Sequence, residues 1–354
     1  MFRWLKRRLL ELCKQQDLHE QQAIASPSER IGHAIIFLPT DSFWLKGLLL
    51  QPVNTVHTLT LMMPRFPSVL AVLFYSLALV AARAVEPVIP DTVTFERGIT
   101  YAEAGGARMQ LNLARPKHAS GPLPVVVCIH GGGFRAGNRE GYNSLCLTLA
   151  QRGFAAVTIS YRLAPTHLFP AAIYDTKAAV RWIRANSAKY GMNPDLIGVT
   201  GSSAGGHLAQ FLGVTAGVKE FEGMDNPGFS SAVTCVVNVY GPSDFTQSYG
   251  KSVDAHVVLP LWLGGDVTTA RAKHIQSSPL NWVTPNAAPS LIIHGTEDKY
   301  VAYEQGVWMR DRLTACGVPV ELLTVEGAGH GFKGADAEKA EKALIAYFEQ
   351  RLKK

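Results

Sequence analysis

From about Val93 the chain alternates short apolar runs with longer stretches whose apolar residues recur at helical spacing. Segments 92–105 (TVTFERGITYAEAG) and 107–116 (ARMQLNLARP) read as two opening strands, a hairpin or meander at a sheet edge. Residues 123–133, LPVVVCIHGGG, form a continuous apolar run ending in glycines, the pattern of a strand covered on both faces. A helix-like stretch at 144–152, a strand at 154–161 and an amphipathic helix over 170–191 follow, the last with Pro170 at its start and Gly191 at its end. The alternation continues with strand 196–201, helix 203–216, strands 232–242 and 290–298, helix 301–317, strand 320–327 and a closing helix over 335–354. Strand and helix taking turns predict an α/β fold: a mostly parallel central sheet of about eight strands with helices on both faces. One segment breaks the pattern. Residues 241–288 are punctuated by Gly, Ser and Pro with scattered Trp, Leu and His, and are expected to form a short lid-like insertion of one or two helical turns over the carboxyl edge of the sheet, where open α/β sheets bind ligands, or else a long surface loop.

Size and charge narrow the picture. With 354 residues, 47% of them hydrophobic, the chain can bury one large core or two smaller ones. The formal charge of +6 is unevenly spread: residues 1–84 hold nine Lys/Arg against five acids, leaving 25 basic and 23 acidic residues for 85–354. So nearly neutral a body gives no reason to expect a nucleic-acid partner. Met62–Ala84, MMPRFPSVLAVLFYSLALVAARA, places Arg65 before an uncharged run from Val69 to Val80 and ends in Ala82-Arg83-Ala84, the layout of a secretory signal peptide. Signal peptides begin chains, so translation is expected to start at Met62 or Met63, with 1–61 an N-terminal extension from an upstream start assignment, or a disordered one. The competing reading makes 1–61 a cytoplasmic tail and 66–81 an uncleaved anchor, with Arg3, Lys6, Arg7 and Arg8 on the positive-inside flank. In either case the body, 85–354, is expected outside the cytoplasm, secreted or periplasmic, and with signal cleavage no stable membrane partner is expected. The five cysteines (Cys13, Cys128, Cys146, Cys235, Cys316) show no CxxC or metal-type spacing and read as free thiols, though Cys128 and Cys235 could meet in space.

The candidate chemistry lies at the predicted strand ends. A serine hydroxyl is a poor nucleophile near neutrality and needs a base, a group that orients the base, and donors for the oxyanion. GSSAGG puts Ser203 between a strand and a helix, where Gly201 and Gly205 let a sharp turn pack. The N–H of Ala204, with those of Gly132 and Gly133 in CIHGGGF, would form the oxyanion hole, and Phe134 would line the pocket. His130 reads as a loop-bonding residue. Downstream, IIHGTEDKYV places Asp298 just past a strand and VEGAGHGF places His330 in a Gly-rich loop past the next one. Glu297 is the rival acid, although adjacent residues point in different directions. The order Ser203, Asp298, His330 is that of an α/β-hydrolase. His207 is expected to be a satisfied core histidine, Arg162 and Asp175 a structural ion pair or cap, and His256 and Trp262 possible substrate contacts. No metal or cofactor motif is present: there is no metal-ligand spacing, Walker loop or dinucleotide fingerprint.

With HGGGF, SYRLAP, FPAAIYD, GSSAGGHLA, YGPSDF, SSPLNWV, HGTEDKYV and GAGHGF in this order, residues from about 93 to 352 resemble the α/β-hydrolase superfamily. Within it they are similar to the hormone-sensitive-lipase-like and, more closely, the bacterial feruloyl/acetyl esterase (BD-FAE-like) carboxylesterases. The resemblance implies a serine carboxylesterase acting on short acyl or aromatic acyl esters, acetyl or feruloyl groups on plant polysaccharides included, so that the expected partner is a small-molecule or saccharide ester. Ser202 stands where many lipase-like members carry Asp, a departure that favours the esterase branch; the long N-terminal cap helices of the lipase-like branch are a second departure unless 1–61 supply them, against which the intervening signal-like segment speaks. An amide-cleaving relative, such as an exported peptidase or arylformamidase, and a catalytically silent binding module are the alternatives.

Overall fold

The structure, a computed structural model, describes residues 87–253 and 255–353. The expected extension 1–61 and signal segment 62–84 lie outside the described residues. Eight strands form one sheet: β1 (Val93–Ala104), β2 (Ala107–Pro116), β3 (Leu123–Ile129), β4 (Ala155–Ile159), β5 (Met192–Ser202), β6 (Cys235–Val239), β7 (Ser290–Gly295) and β8 (Val320–Val325). Their order is β1-β2-β4-β3-β5-β6-β7-β8. Only β2 runs against its neighbours, pairing antiparallel with β1 and β4, and every pair from β4 to β8 is parallel. All the parallel strands therefore deliver their carboxyl ends to one rim.

The apolar run of β3 is buried on both faces, as its sequence requires. Val125, Val127 and Ile129 join a core that includes Ile173 and Ala179 of α2 (Ala171–Ala185) and Leu208 and Phe211 of α4 (Ala204–Val214). The alternate residues Val126 and Cys128 face a second core, with Cys146 and Leu149 of α1 (Asn143–Gln151) and Leu344 and Phe348 of the closing helix, α9 (Ala335–Leu352). Period-two alternation thus distributes one strand's side chains between two layers of helix. The long helix expected over 170–191 is interrupted: Asn186 turns its side-chain amide back onto the Trp182 carbonyl at 2.9 Å, and α3 (Ser187–Tyr190) is a separate turn closed by Gly191. A short α5 (Lys219–Glu222) follows α4, and α8 (Glu304–Ala315) connects β7 to β8. Cys128, Cys146, Cys235 and Cys316 are free thiols.

The insertion at 241–288 holds more helix than its sequence led us to expect: α6 (Ala255–Leu263), α7 (Arg271–Ser277) and a 3-10 turn at Pro279–Trp282. Its fixture is Trp262. That indole is fully buried, stacks on Phe134 with centroids 3.8 Å apart, and meets Phe169, His207 and Phe245 edge-on. A second tie runs through Gln305 of α8, which takes the N–H groups of Ser243 and Asp244 at 2.8 Å each on its side-chain oxygen and donates to the Asp244 carbonyl. A buried amide with partners on both its oxygen and nitrogen fixes a loop in one geometry.

Candidate active site

Five strand ends meet at the rim. Ser203 follows β5 with φ 55° and ψ −122°, a left-handed conformation that a non-glycine residue holds only when its surroundings enforce it. The enforcement comes from packing: a Cβ on Gly205 would strike the carbonyls of Ile129 and His130, so glycine alone lets α4 start this close to β3. The Ser203 N–H bonds the Val239 carbonyl at 3.0 Å, and its own carbonyl accepts from His207 at 3.0 Å. The turn is pinned and the hydroxyl faces the cleft.

His330 Nε2 lies 3.0 Å from Ser203 Oγ, and its Nδ1 lies 2.7 Å from Asp298 Oδ2. With Nδ1–H donating to the carboxylate, Nε2 is the nitrogen left to accept the serine proton. Asp298 is buried while Glu297 points to solvent, so strand-end geometry decides between the two acids. Tyr300 and Val301 N–H groups each donate to Asp298 Oδ1 at 2.9 Å. Burial pushes the Asp298 carboxyl up, but His294 beside it and the hydrogen bond from His330 outweigh that and bring it down to about 2. It is therefore a carboxylate at any physiological pH.

Across the cleft, Gly132 and Gly133 follow β3. Gly132 has φ 110°, and a Cβ there would collide with the Ala136 carbonyl, which accompanies a tight turn in which Gly132 O accepts the N–H groups of Arg135 and Ala136 at 3.2 and 3.0 Å. Among the described residues no protein group takes the N–H of Gly132, Gly133 or Ala204, the last being the first residue of α4. The cleft itself, about 440 Å³, is lined by Gly131, Gly132, Gly133, Ser203, Tyr240 and His330, with Arg135 and Tyr300 at its sides.

Two expected substrate contacts are corrected. Phe134 and Trp262 are 2% and 0% exposed and stack on each other inside the core, so neither faces the cleft. Large apolar rings beside a Gly-rich loop are drawn inward because burying both faces removes more apolar surface from water than lining an open cleft would. His256 is exposed beside Tyr249 and does not line the cleft. His207 is buried as expected but only half satisfied: Nε2 hydrogen-bonds the Ser277 carbonyl at 2.7 Å, Nδ1 has no partner among the described residues, and burial pushes the imidazole down to about 3. Arg162 grips Asp175 at 2.8 to 3.0 Å, and His130 bonds Gly131 O while stacking on Tyr161.

Three features escaped the sequence reading. Tyr240 and Tyr300 flank the His330 ring at 4.7 and 4.9 Å, and the position of each just past a strand end was the available signal. Ser202 hydrogen-bonds Tyr142 and Tyr240, which gives a structural task to the residue that stands in place of Asp. His294, four residues before Asp298, lies behind its carboxylate. Among the described residues no group of His, Cys, Asp and Glu could hold a metal ion, and no helix is long and apolar enough to cross a membrane.

Known proteins share this arrangement of sheet and loops. Esterase LipC of Mycobacterium tuberculosis is 36% identical over 62% of this chain and 55% of its own length, and the probable carboxylic ester hydrolase LipM of the same organism is 33% identical over 70% and 58%. The chain thus spans little more than half the length of these curated relatives. A truncated carbohydrate esterase from gut microbiota superposes with a TM-score of 0.67 at 28% identity, covering 76% of this chain and all of the other. The sheet order, with β2 alone reversed, and that superposition identify the α/β-hydrolase fold. The BD-FAE family model matches residues 111–313, a span that runs from the middle of β2 to the last turns of α8 and takes in both the glycine loop and the serine turn, and the chain belongs to that family.

Proposed function

We propose that the protein is a serine carboxylesterase working through an acyl-enzyme. Ser203 Oγ attacks the ester carbonyl while His330 Nε2 takes its proton. The oxyanion that forms is held by the N–H groups of Gly132, Gly133 and Ala204, and His330 then returns the proton to the departing alcohol. Water, activated by the same imidazole, releases the acid. Asp298 keeps the imidazole in the tautomer this needs and faces the positive charge it acquires. The observation that carries the reading is the continuous chain Ser203 Oγ, His330, Asp298 with gaps of 3.0 and 2.7 Å.

The substrates proposed are short-chain or aromatic acyl esters, of the acetyl or feruloyl type, the alcohol side including saccharides. A cleft with a glycine-backbone wall and two tyrosines supports a small acyl group with a flat or polyhydroxy partner, and likeness to a carbohydrate esterase supports the sugar. The same reading takes 62–84 as a cleaved export signal, so that catalysis occurs outside the cytoplasm.

The purified protein is expected to hydrolyse p-nitrophenyl acetate and butyrate and to lose at least about 1,000-fold in kcat on Ser203→Ala. Unchanged turnover in that variant overturns the nucleophile; absence of turnover on acetylated xylan, methyl ferulate, aryl formamides and aminoacyl amides alike points to a binding module. Export is tested by N-terminal sequencing of secreted material: a start near Val85 supports cleavage and an intact Met1 defeats it.

A further inference from the structure

We infer that His294 is a positioning residue for the Ser203–His330–Asp298 constellation, its single ring N–H fastening the Val301 turn that holds the Asp298 carboxylate. The inference rests on the catalytic reading above and extends it by one residue. His294 is the fifth residue of β7, fully buried, and lies one turn of chain before Asp298. Its Nε2 is 2.9 Å from the Val301 carbonyl and 3.4 Å from Asp298 Oδ2.

The surroundings assign the tautomer. Nδ1 is buried with no partner, so a proton there would be a stranded donor, while the Nε2 lone pair would be turned towards two oxygens. With the proton on Nε2, its N–H donates to Val301 O, and the same edge of the ring lies 3.4 Å from Asp298 Oδ2, a close electrostatic contact. Val301 in turn donates its own N–H to Asp298 Oδ1 at 2.9 Å, so hydrogen bonds run from His294 through Val301 to the carboxylate. Oδ2 is also the oxygen that receives His330 Nδ1–H at 2.7 Å. Oδ1 then has two donors, the Tyr300 and Val301 N–H groups, and Oδ2 has His330, with the His294 ring edge beside it at 3.4 Å.

The imidazole cannot swing away. A Cβ on Gly306 would lie 3.0 Å from His294 Nδ1, which shows how closely the α8 backbone presses on the ring, and Tyr303 meets it edge-on at 5.8 Å. The other titratable groups packed against the pair are Tyr240, Tyr300, Tyr303 and Glu304, and Glu304 is neutralised by Lys251 at 3.0 Å. His294 and His330 together hold the Asp298 carboxyl down against the effect of burial. Without His294 the Val301 turn would lose its tie to β7 and Oδ2 the N–H dipole beside it, so that the carboxylate would hold the His330 imidazolium more tightly.

The test uses His294→Leu, His294→Asn and His294→Gln in the full chain, with Ser203→Ala as reference. Gln carries an amide N–H out to about the position of Nε2, whereas Asn stops short of it and Leu has none. His294→Leu is expected to lower kcat about tenfold with KM within about twofold, from the loss of one buried hydrogen bond and of the N–H dipole beside the carboxylate. It should also move the acid limb of kcat/KM to higher pH, because the protonated base persists further. His294→Gln should recover most of kcat and return the limb towards its original place. A Leu variant with a native circular dichroism spectrum, wild-type kcat and an unmoved limb overturns the inference. If Leu fails to fold, the Asn–Gln pair decides: an equal limb and equal kcat in both overturns it. Activity surviving in Ser203→Ala would instead remove the catalytic reading itself.

Discussion

Two aromatic nests flank Ser203, and each holds a histidine. Under the insertion, Phe134, Phe211, Phe245 and Trp262 enclose His207; at the cleft, Tyr240 and Tyr300 stand beside His330. The first nest is dry and contributes no carboxylate, so its imidazole has one backbone partner and is pushed by burial down to about 3. The second leaves His330 partly exposed, between a carboxylate and a hydroxyl. Distance along the chain is a poor guide to which is which, since His207 is four residues from Ser203 and His330 is 127. What an imidazole can do is set by whether its neighbours supply water and a counter-charge.

The comparison can be broken first at the wet end. Asp298→Asn should reduce kcat by about 1,000- to 10,000-fold, since an amide leaves the His330 tautomer wrong, while the urea midpoint changes little compared with the drop in rate. At the dry end, Trp262→Ala should cost about 3 to 5 kcal/mol of stability, read from urea denaturation with an unchanged m value, and activity should fall only as the folded fraction falls. Activity lost from a fully folded Trp262→Ala protein would mean that this nest also shapes the cleft.

Acid titration separates the two histidines more finely. Because the folded-state value of His207 is depressed below the unfolded 6.5, the unfolded chain binds its proton first, and stability contributed by the neutral ring is lost as pH falls from 6.5 towards 3. His207→Gln should therefore flatten the wild-type slope by up to about 1.4 kcal/mol per pH unit in that window, measured as the difference between two denaturation series. Asp298 acts lower down, its depressed carboxyl adding stability that is present above 3.8 and lost as pH falls through about 2. The smallest effect expected is that of Tyr240→Phe, which removes one hydroxyl contact with Ser202 and should cost about 1 kcal/mol with kcat lowered severalfold at most.

Most of the architecture was legible because both of its periodicities are strong: β3 reads as a strand buried on two faces and α2 as an amphipathic helix, and both form. The three separated residues Ser203, Asp298 and His330 could be chosen because each follows an apolar run and parallel strands send their carboxyl ends to one side. Orientation was the harder quantity. Nothing in HGGGF says that Phe134 turns inward while the glycines before it face the cleft, and nothing in PLWL tells an anchoring Trp262 from a ligand contact. The helices of 241–288 were hidden by their shortness and by Pro260 inside α6. His294 was invisible for a simpler reason: in SLIIHG it reads as one more interior strand position, and only the return of the chain through Val301 brings Asp298 against it.

Val258 of α6 lies against the oxyanion loop at Gly133, where an added Cβ would meet it at 3.3 Å. Ser203, Asp298 and His330 follow strands of the sheet, whereas this valine is buried and belongs to the insertion, so the glycine turn beside Ser203 is backed by a separate part of the chain. No residue of 255–263 lines the cleft, so the insertion reaches it only through the backbone of that turn, and a change at Val258 would be felt by the glycine N–H groups rather than by the proton path.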